Sequence, residues 1–255
     1  MLLSDIFDQL SYGELSHLAV GSAEDGGIVL EDQKRLMPHI NLGLIELHKR
    51  FPLRFDEVII RQYEHIDTYV LNIKYAASNL KSEEPYKYLH DTKFEPFLNN
   101  VVKIERVWCE PGIEIPLNEE IDYGETEQYR PRIVPNIGEF DFYGQTAQTP
   151  TFNSIQILPH PVEENNLTVT YRAHPPKIPH EVVPEETEVD VPAGMLDALL
   201  YYVAARIFAG MGADNNTESS LYTAKFEEAC KKAEKHYIFN KDNNTNIRLE
   251  KYGWV

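Results

Sequence analysis

Nine histidines, two cysteines and a dense run of carboxylates are the side chains with which this chain could do chemistry. The histidines stand at positions 17, 39, 48, 65, 90, 160, 174, 180 and 236. A metal site on a helix needs two ligands one turn apart on one face. None of the histidines falls in HExxH or in HxH. His174 and His180 lie in a proline-rich stretch and read as surface residues. Cys109 and Cys230 form no CxxC. Far apart, in a predicted strand and a predicted helix, they are expected as free, reduced, buried thiols of a protein made in the cytosol. Between Asn118 and Tyr129 stand Glu119, Glu120, Asp122, Glu125 and Glu127, with no basic residue. Such carboxylates could hold Ca²⁺ or act as an acid–base pair. They lack the DxDxDG order of a calcium loop and read better as a solvated acidic rim. GxSxG, GxxxxGKS/T and GxGxxG are all missing. The sequence therefore assigns no catalytic residue, no cofactor and no metal, and an enzyme is not expected.

The elements that would position any site are helices at the two ends of the chain and strands between them. Val191–Phe239 carries the strongest pattern. Met195, Leu199, Val203, Ile207 and Met211 recur every four residues, with Leu196, Leu200, Ala204 and Phe208 as the adjoining row, which is the apolar stripe of a packed helix. Gly210, Gly212 and Asp214-Asn215-Asn216 end it and turn the chain. Thr217 is the expected cap of a second helix, whose packing face is Tyr222, Phe226, Ala229, Ala233 and Tyr237. Together these make an antiparallel helical hairpin. At the N-terminus, Ser4 is the expected cap of a short helix over 5–10. Leu36, Ile40, Leu44, Leu47 and Phe51 line a helix over 32–51 that Pro52 ends, with Pro38 either kinking it or starting it anew.

From Leu53 the period changes to two. Residues 53–60 and 68–73 read as strands joined in a hairpin through Glu64-His65-Ile66-Asp67. Residues 86–100 read as a short helical turn anchored by Phe94, Phe97 and Leu98. Val101–Trp108 is the clearest alternating strand, with Trp108 expected in the core. Glu110-Pro111-Gly112 turns it into a partner strand at 113–117. Residues 151–158 and 167–173 are two further strands. The proline-rich stretch 174–192 must be extended. Strands and helices do not alternate as βαβ, so the class is α+β. The expected architecture is an antiparallel helical bundle (1–52 and 191–239) with an inserted small antiparallel β-sandwich or barrel (53–190) and an extended C-terminal tail (240–255).

The 255 residues carry 41 acidic and 24 basic side chains, a formal charge of −17. That balance disfavours a protein that grips phosphates with basic side chains. The last 31 residues, 225–255, hold seven basic and five acidic residues, or +2, leaving −19 on 1–224. A basic end on an acidic body suits an acidic partner. The opening MLLSDIFDQL lacks a basic n-region and does not read as a signal peptide. No run approaches ~18 consecutive apolar residues, so no membrane span is expected. In the tail, Trp254 is an aromatic in a polar setting with no core of its own, as partner-docking anchors are.

Several stretches, in their shared order, resemble the head-to-tail adaptor (connector) proteins of short-tailed bacteriophages. They are SYGELSHLAVG, PFLNNVVKIERVW, EPG, IPLNEE, the strands TPTFNSIQILP and LTVTYRAHPPKI, the helix opening VDVPAGMLDALLYYVAARIF, and the closing NIRLEKYGWV. The resemblance implies a structural virion protein at the capsid–tail junction, made in the host cytoplasm. Such adaptors form a homo-oligomeric ring, usually of twelve copies, beneath the portal protein ring. They extend the DNA channel through which DNA passes without specific binding, and they mount the tail nozzle and fibre proteins. The resemblance puts Ile247, Arg248, Leu249, Tyr252 and Trp254 at the portal. Lys225, Lys231, Lys232 and Lys235, near the start of the tail, could meet an acidic portal edge. Ala204, Ala205, Ala209 and Gly210 allow close helix approach, within one chain or between subunits. The alternatives are a carbohydrate- or receptor-binding β module on a helical stalk, and, as the resemblance to adaptors credited with cell-wall hydrolysis implies, a tail or wall-associated hydrolase using acidic residues such as Glu119 and Asp122.

Overall fold

The computed structural model describes residues 1–16, 28, 30–118, 145–158, 165–211 and 216–236. Among them are four α-helices and eight strands, and every strand pair is antiparallel, so the chain is α+β. The helices are α1 (Leu3–Tyr12), α2 (Leu30–Arg50), α3 (Leu196–Gly210) and α4 (Asn216–His236). The strands are β1 (Phe55–Arg61), β2 (Thr68–Val70), β3 (Leu89–His90), β4 (Val101–Cys109), β5 (Glu114–Ile115), β6 (Thr146–Gln148), β7 (Ser154–Leu158) and β8 (Asn166–Ala173). The chain divides into two compact units, 1–52 with 177–255, and 53–176. Residues 177–190, expected within the β insertion, group with the helices. The tail 240–255 lies outside the described residues.

In the helical unit, α3 packs against α1, α2 and α4. The predicted α2 face, Leu36, Ile40, Leu44, Leu47 and Phe51, is buried throughout. On α3 and the turn before it, Met195, Leu199, Leu200, Val203, Ala204 and Phe208 are buried as their spacing requires, but Met211, at the end of the stripe, is exposed. With its preceding turn this helix, Ala193–Gly210, is apolar and long enough to cross a membrane by composition alone. Here its apolar side is core. Cys230 joins Phe226 and Ala233 on the inner face of α4. Two caps differ from expectation. Helix α1 begins at Leu3, and the Asp5 carboxylate, not Ser4, accepts the Leu2 N–H at 3.1 Å. Helix α4 begins at Asn216, so Thr217 is already inside it. Pro38 lies within an unbroken α2 on its exposed side. The missing N–H there removes a single ladder bond, which the buried face on the other side outweighs.

The proline-rich stretch is a strap, held where it can make backbone bonds. Leu3 N–H donates to Thr187 C=O (2.9 Å), Ser4 N–H to Pro184 C=O (3.1 Å), and Val189 N–H to Met1 C=O (2.8 Å). At its start, buried Asn41 of α2 grips Ile178 like a strand partner. Its Nδ2 donates to Ile178 C=O at 3.0 Å and its Oδ1 accepts the Ile178 N–H at 2.9 Å.

In the β unit, one sheet has the order β3-β1-β8-β4-β5 and the other β2-β7-β6. Inward residues of both sheets feed one core, including Ile60, Tyr69, Ile104, Val107, Ile155, Ile157, Val169 and Tyr171. The β4–β5 turn is as expected, with Gly112 at φ 80°, a conformation open to glycine at no steric cost. Three other expectations fail, for the β1–β2 hairpin, the 86–100 helical turn and Trp108. β1 and β2 form no hairpin, because β1 pairs with β8 and β3 while β2 pairs with β7. Residues 86–100 form no helical turn: β3 is followed by irregular chain in which Phe97 is buried while Phe94 is 93% exposed. Tertiary hydrogen bonding replaces the helix there. The Asp91 carboxylate accepts from the Ser78 hydroxyl and from the backbone N–H groups of Ser78 and Phe97. Trp108 is half-buried on the outer side of β4 and is not part of the core.

Candidate functional site

The residues that determine how the helices meet are small. Gly43, in the middle of α2, is buried, and a Cβ there would stand 2.6 Å from Leu199 Cδ1 and 3.1 Å from Tyr202 Cδ1 of α3. Glycine costs a helix interior about 1 kcal/mol relative to alanine. Its retention here is explained by the close approach of α2 and α3. The sequence reading passed over Gly43; a lone glycine inside a strong 3.6-residue pattern was the available signal. Of the predicted small residues, Ala204 and Ala205 are buried within the chain, and Ser219 of α4 donates to Ala205 C=O at 3.1 Å. Packing within the chain therefore accounts for these two. Ala209 and Gly210 are exposed, and nothing lies within 4 Å of a Cβ added to Gly210. Met211, just after α3, and Leu221, near the start of α4, are about half exposed.

Aromatic rings fill the seam between α3 and α4. Phe208 stacks on Tyr222 at 5.3 Å, and Tyr202 meets Phe226 edge-on at 5.4 Å. The Lys225 ammonium lies 4.6 Å from the Tyr222 ring centroid and 5.5 Å from that of Tyr201. Of the four lysines expected to face a partner, Lys225 is thus engaged within the chain, and Lys232 pairs with Glu228 at 2.8 Å. Lys231 and Lys235 are exposed. Arg50, the last residue of α2, reaches α4 and binds Glu227 at 2.8 Å and Glu234 at 3.1 Å. These charge-assisted bonds, Glu227 first, hold its guanidinium pKa above the usual value. Beside it, burial pushes the Cys230 thiol up to about 11, against the pull of Arg50. Both cysteines are free and buried, as expected.

The described histidines are dispersed. Burial, and then the Arg206 guanidinium, hold the His39 imidazole below its usual pKa. His48 is buried in α2, and His90 is exposed on β3. Among the described residues no three His, Cys, Asp or Glu side chains stand together as metal ligands would. His65 is part of a surface trio on the β unit. It lies 4.7 Å from Tyr86 and 5.9 Å from Tyr63, the two tyrosines are 5.4 Å apart, and the three rings are tilted at 50° to 60°. The Arg61 guanidinium carbon lies 5.7 Å from the Tyr63 centroid. The predicted carboxylates Glu119, Glu120, Asp122, Glu125 and Glu127 lie outside the described residues. So do the predicted docking residues Ile247, Arg248, Leu249, Tyr252 and Trp254.

No protein-family model matches the chain, and no curated protein matches it in sequence.

Proposed function

We propose that this chain is a structural virion protein, a head-to-tail adaptor that forms a ring under the portal of a short-tailed phage. The observation that carries the reading is the ordered resemblance along nearly the whole sequence. The helical unit built from both chain ends, with a β-rich stretch between them, is compatible with it. In this reading the helices form a bundle that packs side by side with neighbouring copies, about twelve in all. The exposed Ala209, Gly210, Met211 and Leu221 are available for that contact. The β unit is a small sandwich that mounts nozzle and fibre proteins. Residues 240–255 dock on the portal through Ile247, Arg248, Leu249, Tyr252 and Trp254. The charge of −17 lets packaged DNA slide past without being held. No catalysis is required of it.

Mass photometry of the purified chain, alone and with the portal ring encoded beside it, tests the proposal. Ring-sized mass increments that vanish when 240–255 are removed are expected. Binding that survives truncation keeps the adaptor and relocates its interface. No binding at micromolar portal overturns the reading. A second reading, a glycan- or receptor-binding module, is favoured by the Tyr63–His65–Tyr86 trio, since exposed rings can stack on sugar faces. It predicts glycan-array binding by the full chain that is lost in Tyr86→Ala, with no affinity for a portal.

A further inference from the structure

One fully buried amide in the β unit has no partner among the protein's own groups. Gln62, the residue after β1, is 0% exposed, yet neither its Oε1 nor its Nε2 makes a hydrogen bond to another protein group. Opposite it, Asn165 just precedes β8, and its Oδ1 is buried and unpartnered as well. The β1–β8 register runs to Arg61 opposite Asn166, and one step further the Gln62 N–H donates to Asn165 C=O at 2.8 Å. Directly opposed residues of an antiparallel pair project on the same face, with Cβ atoms about 4.5–5.5 Å apart. That face is the interior, because Val58 and Ile60 precede Gln62 on it and Leu167 and Val169 follow Asn165.

Three polar atoms without a protein partner therefore lie on the inward side of these opposed strand ends. An unpartnered buried amide is expensive, and native proteins rarely leave one. The stereochemistry of these atoms selects the ligand. Two are acceptors and one is a donor. A cation would be offered only two oxygens, and the Nε2–H would face it. A water molecule can donate to both oxygens and accept from the Nε2–H, making the three bonds typical of buried waters. We propose that Gln62 and Asn165 form a built site for one buried water. It extends the β1–β8 pairing beyond its last ladder residues. It also ties down the start of the 62–67 loop, whose Tyr63 N–H and Ile66 C=O are gathered by the Tyr69 hydroxyl, each at 2.9 Å.

An occupied and an empty site predict stability changes of opposite sign. Gln62→Met keeps the length of the side chain and removes both of its polar atoms. With water held there, the substitution leaves Asn165 Oδ1 unpaired, and the Tm of the full chain falls by about 2–4 °C. ¹⁷O magnetic relaxation dispersion then counts one long-lived water fewer than in the wild type. With no water, the substitution removes an uncompensated buried amide and Tm rises, which overturns the proposal. A high-resolution crystal structure of the wild-type protein decides the matter even where the variant does not fold. An ordered water peak within hydrogen-bond reach of both side chains is expected, and apolar density or an empty gap there overturns the site.

Discussion

The helical unit and the β unit satisfy their backbones in different ways. Each helix closes its own ladder, so α1 to α4 need one another only for side-chain burial, and a few polar clamps hold the intervening strap. Asn41 and Ile178 are such a clamp across 137 residues, while Arg50 and Glu227 tie α2 to α4 across 177. The β unit is continuous in sequence, yet none of its strands is satisfied alone. β1 pairs with β8, more than a hundred residues away, and β8 also pairs with β4. Loss of a clamp in the helical unit should therefore free a segment. Loss of a junction in the β unit should weaken the sheets as a whole. A unit that is discontinuous in sequence can thus be the more modular of the two.

The sharpest test is Asn41→Leu, which leaves both backbone groups of Ile178 without a buried partner. A loss of about 3 kcal/mol is expected. Hydrogen exchange should accelerate at 177–190 while the β8 amides keep their protection. Equal loss of protection in both units would break the comparison. Next is Asp91→Ala in the β unit, with an expected cost of about 2 kcal/mol, read as a lowered urea midpoint and faster exchange throughout β1 and β8. The same carboxylate has a pH signature. Burial alone would raise its pKa, but hydrogen bonds from Ser78 and Phe97 outweigh that and hold it below the usual range. Its contribution is fully present above the ordinary carboxylate pKa of about 4 and is lost as pH falls through the lower, folded-state value. Urea midpoints of wild type and Asp91→Ala should accordingly converge in acid. Midpoints that stay apart would show that the charge plays no part.

Gly43→Val has a smaller expected effect, about 1–2 kcal/mol, since overpacking against Leu199 and Tyr202 is partly offset by better helix propensity. A thermal melt that rises on this substitution would mean that α2 and α3 do not approach as closely as described. Smallest is Arg50→Gln. Both partners are about half exposed, so the loss should be about 1 kcal/mol or less and should shrink in high salt. A salt-independent loss would point to packing of the Arg50 stem instead.

How much of this was readable beforehand varied with the range of the interaction concerned. The α2 face and the Leu199–Val203 and Leu200–Ala204–Phe208 rows of α3 were readable because a 3.6-residue period is written locally. So was the β4–β5 turn, where Pro111-Gly112 does the work within four residues. The β1–β2 hairpin and the 86–100 helix were misread. Nothing local in 55–61 names residues 166–172 as its partner, and the anchor for 91–97 is a carboxylate that reaches back to Ser78. Among the candidate site residues, the sequence marked Ala204 and Ala205 as small but left open whether the close approach lay within one chain or between copies. Both are buried within the chain, where Ser219 of α4 donates to the Ala205 C=O.

By itself, the sequence determined the α+β class, the terminal placement of the helices, their buried faces and the acidic charge. All of these follow from residue type and short periods. Only the tertiary structure decided which strands pair, that 177–190 serve the helices, that Gly43 is a contact and not a flaw, and that Gln62 and Asn165 face each other inside the β unit. Each of these depends on groups distant in sequence arriving at hydrogen-bond or van der Waals range, which no local pattern encodes.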